Sequence, residues 1–304
     1  MKPSSDQTFV ERWIVTPPET ADELAALLSE AFDAPAATHL DPETGRCRIS
    51  LYLPAERPLP PEREAGLRKL LAALRQAGIL PRTAILRRRV LPPEAWADSW
   101  KRHFPARVFG GAILVRPSWS TKRPRPGQAE IVLDPGMSFG TGQHPTTAFC
   151  LEELARLCRG LGPYSVLDVG TGSGILAIAA AKLGCRPIRA FDHDPEAVRI
   201  ARENAAANGV AEQIRFATAD LRRMRPVQRG REAIICANLL AGILERAAAT
   251  LASRLRPGGR LLAAGILEEQ FPAVQAKFES LGLLLEHEKS EGEWRSGTFR
   301  RPAV

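Results

Sequence analysis

Residues 165–174 read Ser-Val-Leu-Asp-Val-Gly-Thr-Gly-Ser-Gly and run straight into the apolar, helix-forming stretch Ile175 to Lys182. Glycines at 170, 172 and 174 let the backbone turn sharply at a strand end and let a ligand approach where side chains would collide. The segment therefore commits the chain to a strand, a tight loop and a helix in succession. Its spacing is G-x-G-x-G rather than the G-x-G-x-x-G of dinucleotide binders, and Asp168 stands two residues before the first glycine. A carboxylate there disfavours a pyrophosphate. It suits a cationic ligand such as S-adenosylmethionine, with its ammonium and sulfonium groups.

A second acid, Asp192, follows Gly170 by 22 residues. At the end of the next strand it is placed to accept hydrogen bonds from both ribose hydroxyls of an adenosine. Asp194-Pro195-Glu196 carries instead the pattern of a helix start, with an N-cap acid, proline at the first helical position and an acid near the positive helix end.

The chain of 304 residues has room for a large and a small domain. Apolar and polar runs over residues 1–90 give the order βαββαβ, with strands at 8–15, 36–40, 47–53 and 82–90 and helices at 20–32 and 61–77. That order predicts a small α+β, ferredoxin-like domain, a module that more often binds than catalyses. Pro92-Pro93 breaks the chain, and 91–105 reads as a linker with a short helix from Glu94 to His103. From 106 to 304 strands and helices alternate, which predicts a Rossmann-like, doubly wound, mostly parallel sheet. Two short strands near 107–116 and 130–133 lead it, and a terminal hairpin gives an antiparallel edge.

Composition narrows the setting. No apolar run approaches the length of a bilayer span, and the polar start Met1-Lys2-Pro3-Ser4-Ser5-Asp6 is no signal peptide. Five cysteines form no CxxC pair, so neither a zinc site nor a disulfide framework is expected, and a reducing cytoplasm is the default. The net charge of +8 is uneven: residues 82–125 hold eleven Lys/Arg against two acids, with Trp96, Trp100, Phe104 and Trp119 among them. Such a band can meet RNA or an acidic protein. A packed connector is the reading preferred here.

Two further segments carry chemistry. Residues 133–147 crowd three glycines, two prolines and three threonines into a polar loop that ends where Pro145 starts a helix. It reads either as a lid over the cofactor with Thr147 pointing back at the methionine end, or as a structural turn capped by Thr146-Thr147. The apolar strand Ile234 to Ala237 ends in Asn238, on the strand edge where doubly wound sheets hold ligands. An uncharged amide accepts a hydrogen bond from a substrate amine without clamping a positive charge. The competing role is an N-cap for the helix near Leu240, but coincidence with the other two cofactor signals favours function.

Asp134-Pro135-Gly136, Phe139 to Thr147, Asp168 to Gly174, Ala237 to Gly242, Pro257 to Leu261 and Gly265 to Gln270 together resemble the PrmA family, the bacterial methyltransferases of ribosomal large-subunit protein eleven. So do Trp100 to Phe104 and Pro117 to Trp119. The resemblance runs from about 94 to 300 and reaches the N-terminal part mainly in layout, which is similar to the family's substrate-recognition domain. It implies transfer of methyl groups from S-adenosylmethionine to lysine and N-terminal amines of that ribosomal protein. The implied cofactor residues are Thr147, Asp168, Gly170, Gly172, Gly174, Asp192 and Asn238, with Asp220 near the adenine. His144 joins Asn238 as a candidate in the chemistry, to take or relay a proton, or else merely orders the lid. The arginine-rich stretch from Arg222 to Arg231 has no counterpart in the resemblance.

The expected enzyme is thus a cytoplasmic monomer that meets no membrane and works with RNA nearby. Rival readings are a methyltransferase of another protein-lysine, small-molecule or RNA acceptor, and a non-enzymatic RNA-binding adaptor. Leu239-Leu240 beside Asn238 offers no aromatic for a flipped base, which argues against the RNA acceptor.

Overall fold

The computed structural model describes residues 9–32, 34, 36–41, 44–55, 61–91, 104–134, 144–158 and 164–303. The chain divides into two compact units, Met1–His103 and Phe104–Val304. The short helix expected from Glu94 to His103, with Trp96 and Trp100, lies outside the described residues, as does the loop at 135–143. No helix among the described residues is long and apolar enough to cross a membrane.

The first unit runs β1 (Phe9–Thr16), α1 (Ala21–Phe32), β2 (Ala36–Asp41), β3 (Arg46–Pro54), α2 (Pro61–Gln76) and β4 (Arg87–Leu91). Its sheet has the order β2-β3-β1-β4, and neighbours are antiparallel throughout. Alternation along β1 and β3 turns Ile14, Ile49 and Leu51 to one face, where they pack with Leu24, Leu28 and Phe32 of α1 and Leu67 and Leu71 of α2. On the other parity Glu11 is buried and takes Arg48 (2.7 Å), Arg89 and Ser50 (3.2 Å) on its carboxylate. Burial alone would raise this acid, but the two guanidinium groups hold it below the usual carboxylate range. The last strand is shorter than the run at 82–90 suggests, because residues 82–86 form a turn and an irregular link before β4.

The second unit opens with β5 (Arg107–Phe109), β6 (Ile113–Arg116) and β7 (Ala129–Val132), a separate three-stranded sheet. The single strand expected near 107–116 is thus a hairpin, broken where Gly110 and Gly111 take φ of 52° and 69°. Then follow α3 (Pro145–Leu157), β8 (Val166–Val169), α4 (Ile175–Lys182), β9 (Ile188–Asp192), α5 (Pro195–Ala207) and β10 (Ile214–Thr218). β11 (Glu232–Asn238), α6 (Ala241–Arg254), β12 (Leu255–Leu267), α7 (Phe271–Glu279), β13 (Leu284–Glu291) and β14 (Trp294–Arg300) complete it. The seven-stranded sheet has the order β10-β9-β8-β11-β12-β14-β13. β8 to β12 are parallel, and β14 is antiparallel to both its neighbours.

The antiparallel strand is therefore one place in from the edge, not at it. Burial explains the order: Ser296 to Phe299 of β14 are all buried, whereas β13 exposes most of Leu-Leu-Glu-His-Glu-Lys-Ser-Glu. A charged strand is the safer one to leave at an edge. One apolar layer under α6 and α7 ends in Phe299, which lies 5.0 Å from Phe278 and 6.3 Å from Phe271, ring centre to ring centre. Phe299→Ala is expected to cost about 3–5 kcal/mol, read as a lower urea midpoint for the second unit.

Candidate functional site

The glycine loop leaves the carboxyl end of β8, and Asp192 and Asn238 end β9 and β11 on either side of it. Asp168 is buried one residue from the end of β8. Its Oδ2 accepts hydrogen bonds from Thr171 Oγ1 (2.7 Å) and the Ala177 amide (3.2 Å). Its Oδ1 is buried with no donor among the described residues. Burial pushes the Asp168 carboxyl up to about 6; the two hydrogen bonds oppose this and the neighbouring Asp192 adds to it. Thr171, which ties this acid to the loop, is a residue the sequence analysis did not single out.

Asp192 turns inward as well. Its Oδ2 accepts from the Gly172 amide (3.0 Å), its Oδ1 from the Asp194 amide (3.1 Å), and His193 Nδ1 lies 3.0 Å from Oδ1. Asp194 does what its Pro195-Glu196 context predicts, capping α5 through the Glu196 amide (2.9 Å). The loop closes tightly at Gly170, where φ is +72° and a Cβ would sit 2.5 Å from Leu239 Cδ2. Gly174, at φ +83°, is the N-cap of α4; a Cβ there would press on Ala201 of α5 at 3.0–3.1 Å. The third glycine thus serves packing of α4 on α5.

Asn238 does not cap α6. The cap position is Leu240, which makes no side-chain hydrogen bond there. Asn238 Nδ2 donates instead to Thr147 Oγ1 (3.3 Å), 91 residues away on α3, and Thr147 is buried. Asn238 Oδ1 has no hydrogen-bond partner among the described residues. Gly265 of β12 makes room for this arrangement, since a Cβ there would lie 3.0 Å from Asn238 Oδ1 and 2.7 Å from the Leu239 carbonyl oxygen. Only the resemblance pointed at Gly265.

His144 caps α3: its Nδ1 accepts from the Thr146 amide (3.4 Å) and lies 2.7 Å from Thr146 Oγ1. Its ring meets the edge of Trp294 at 4.8 Å. The helix cap is thus His144 and not the Thr146-Thr147 pair. Asp220 caps the short turn Leu221–Arg223 and pairs with Arg222 at 3.0–3.2 Å and Arg223 at 3.7 Å. The Arg222 hydrogen bonds hold its carboxyl below the ordinary value. Asp220 lines a cavity of about 110 Å³ with Gly170, Phe191, His193, Leu239 and Ile243, open beside the loop. The described residues contain no cluster of three metal-ligating side chains.

These features fit an adenosyl cation. Two inward carboxylates, one with a buried oxygen that has no partner among the described residues, set a negative potential beside a backbone cradle that a Cβ would fill. A pyrophosphate would be repelled from the same place.

Comparison with known proteins agrees. Residues 59–302 match the family model described as ribosomal protein L11 methyltransferase (PrmA). A ribosomal protein L11 methyltransferase of Trichlorobacter lovleyi is 46% identical over 241 residues, 78% of this chain and 77% of the relative. One of Chloroflexus aurantiacus is 40% identical over 235 residues, covering 70% and 71%. The crystal structure of a ribosomal protein L11 methylase from Lactobacillus delbrueckii subsp. bulgaricus is similar with a TM-score of 0.58 and 32% identity, over 66% of this chain and all of that one.

A buried carboxylate that titrates near 6 destabilises the ligand-free fold at neutral pH, because its ionised form is the costly one. Its folded value lies above the unfolded value of 3.8, so this penalty is full above about pH 6 and disappears as pH falls towards 4. Asp168→Asn is expected to raise the stability of the ligand-free protein at pH 7 by about 1–3 kcal/mol. The same change should lower affinity for S-adenosylmethionine at least tenfold, as read by calorimetry.

Proposed function

The chain belongs to the ribosomal protein L11 methyltransferase (PrmA) family, and on that premise we propose that it transfers methyl groups from S-adenosylmethionine to lysine side-chain and N-terminal amines of ribosomal protein L11. The observation that carries the chemistry is the Asn238–Thr147 pair at the carboxyl end of β11, beside the acid-lined glycine loop. S-adenosylmethionine, when bound, supplies an electrophilic methyl group on a sulfonium. Asp192 would hold the ribose, giving up the Gly172 amide it now accepts, and the cavity lined by Asp220 would take the adenine. Gly170, Gly172 and Gly174 would keep the backbone close to the ligand.

A lysine amine with a pKa near ~10.4 is almost wholly protonated at neutral pH and has no lone pair to react. A dry site favours the neutral form. Leu239, packed over Gly170, forms one apolar wall, and Leu240, 67% exposed, offers another to an arriving acceptor. Because Asn238 Nδ2 is committed to Thr147, its Oδ1 is left to accept an N–H of the amine and aim the lone pair at the methyl group. Positioning of this kind can supply much of the acceleration without a strong base. His144 acts through place rather than proton transfer: it starts the helix that carries Thr147.

The first unit would recognise the acceptor. Its βαββαβ order and β2-β3-β1-β4 sheet support a ferredoxin-like assignment for 1–90, and on this reading a linker at 91–105 leads to a methyltransferase domain over 106–304. A ribosomal acceptor places the reaction in the cytoplasm.

Mass spectrometry of L11 after incubation with the protein and S-adenosylmethionine tests this function. Mass gains in methyl steps are expected, and Asn238→Ala should slow them about a hundredfold while keeping cofactor affinity within a few-fold. No gain with cofactor binding intact would refute L11 as the acceptor.

A further inference from the structure

Between β10 and β11 a doubly wound sheet ordinarily carries a covering helix. This chain has only the turn Leu221–Arg223 and the arginine-rich link to Arg231. One face of β9 and β10 is left partly open as a result: Arg189, Arg215 and Ala217 are exposed there although Phe191 of the same face is buried, while Ile188, Ala190, Ile214 and Phe216 on the other face are buried. Two adjoining grooves of about 500 and 540 Å³ lie there, sharing Arg189, Arg215 and Arg231. Arg229 and Arg254 line one, and Arg256 and Arg186, the latter bonded to Gln213 (3.3 Å), line the other.

The charge is one-sided. Among the described lining side chains Glu232 is the single acid, and it is buried, with Arg189 already on Oε1 and no donor on Oε2 among the described residues. Arg215, Arg229 and Arg231 make no side-chain hydrogen bond or ion pair among the described residues. Burial, with Arg189 nearby, pulls Arg254 below its ordinary value despite Glu232. Cations spread along two grooves match a row of phosphates better than one anion, and planar guanidinium groups without a lysine among them suit bidentate phosphate contacts.

We infer that these grooves bind the phosphodiester backbone of RNA, with Arg215, Arg229 and Arg231 as the phosphate contacts. The arginines sit toward the amino ends of the parallel strands, whereas the cofactor loop leaves the carboxyl ends; the first groove itself reaches Phe191 and Ala219, which also line the cavity beside the loop. The choice of RNA over another polyanion rests on the reading of a ribosomal acceptor.

Fluorescence anisotropy with a short labelled single-stranded RNA, using the full-length protein between about 50 and about 200 mM KCl, provides the test. The groove variant combines Arg215→Gln, Arg229→Gln and Arg231→Gln. A charge-matched control combines Lys122→Gln, Arg123→Gln and Arg125→Gln, all exposed in the basic band. The groove variant is expected to bind about tenfold or more weakly, with a log–log salt slope shallower by about 2, near 0.7 per phosphate lost. The control should keep most of its affinity. An unchanged groove variant, an equal loss in the control, or tighter binding of poly-glutamate or duplex DNA than of RNA would overturn the inference. Both variants should still methylate L11 at the wild-type rate, which certifies their folding. Failure of the wild type to methylate L11 would strike the acceptor reading and leave the RNA result standing.

Discussion

Everything at the site is arranged around one buried carboxylate. Asp168 sits beneath the glycine loop with one oxygen shared between Thr171 Oγ1 and the Ala177 amide and the other without a donor among the described residues. The shared oxygen fixes both ends of the loop, its second residue and the first turn of α4. The lone oxygen leaves a negative charge uncompensated in a dry place. Such an arrangement is poor for the stability of the empty protein and good for taking up a cation. Asp192, close enough to raise Asp168 further, occupies the time without ligand by accepting the Gly172 amide.

Parallel topology converts this local arrangement into an active site. Strands β8, β9 and β11 all end at one edge of the sheet, so three acceptor residues from distant parts of the sequence meet there. α3 adds Thr147 from outside the alternation, and its position is secured twice. His144 caps its start and rests on Trp294, while Glu153 near its end accepts from Thr298 of β14 (2.5 Å) and from Arg156. The antiparallel strand threaded between β12 and β13 therefore does more than close the sheet, since it anchors the helix that holds Asn238 in register.

Much of this was legible in the sequence. Proline and glycine punctuation marked the start of α5 at Pro195 and a terminal hairpin, found as β13 and β14, because both have sharp chemical boundaries. The same cues did not separate β5 from β6, where apolar residues flank Gly110-Gly111 and mask the break. They gave no sign that β14 inserts ahead of β13, because insertion depends on which strand can be buried on both faces. At the site, acids and amides next to glycines were readable one by one. Thr171 and Trp294 were not, and Gly265 was marked only by the resemblance, since each matters through a contact made in three dimensions. Charge shows the same limit. Counting along the chain finds the basic band at 82–125, but the arginines of the grooves come from residues 186 to 256 and gather only when the strands pair.

The carboxylate at the centre can be observed directly. Carbon-13 NMR titration of protein labelled at aspartate, assigned with Asp168→Asn, would follow Asp168 with and without S-adenosylmethionine. A midpoint near 6 in the free protein is expected, moving down once the cation is bound. A free-protein midpoint near the ordinary value of 3.8, or one that the ligand leaves in place, would contradict the role given to Asp168.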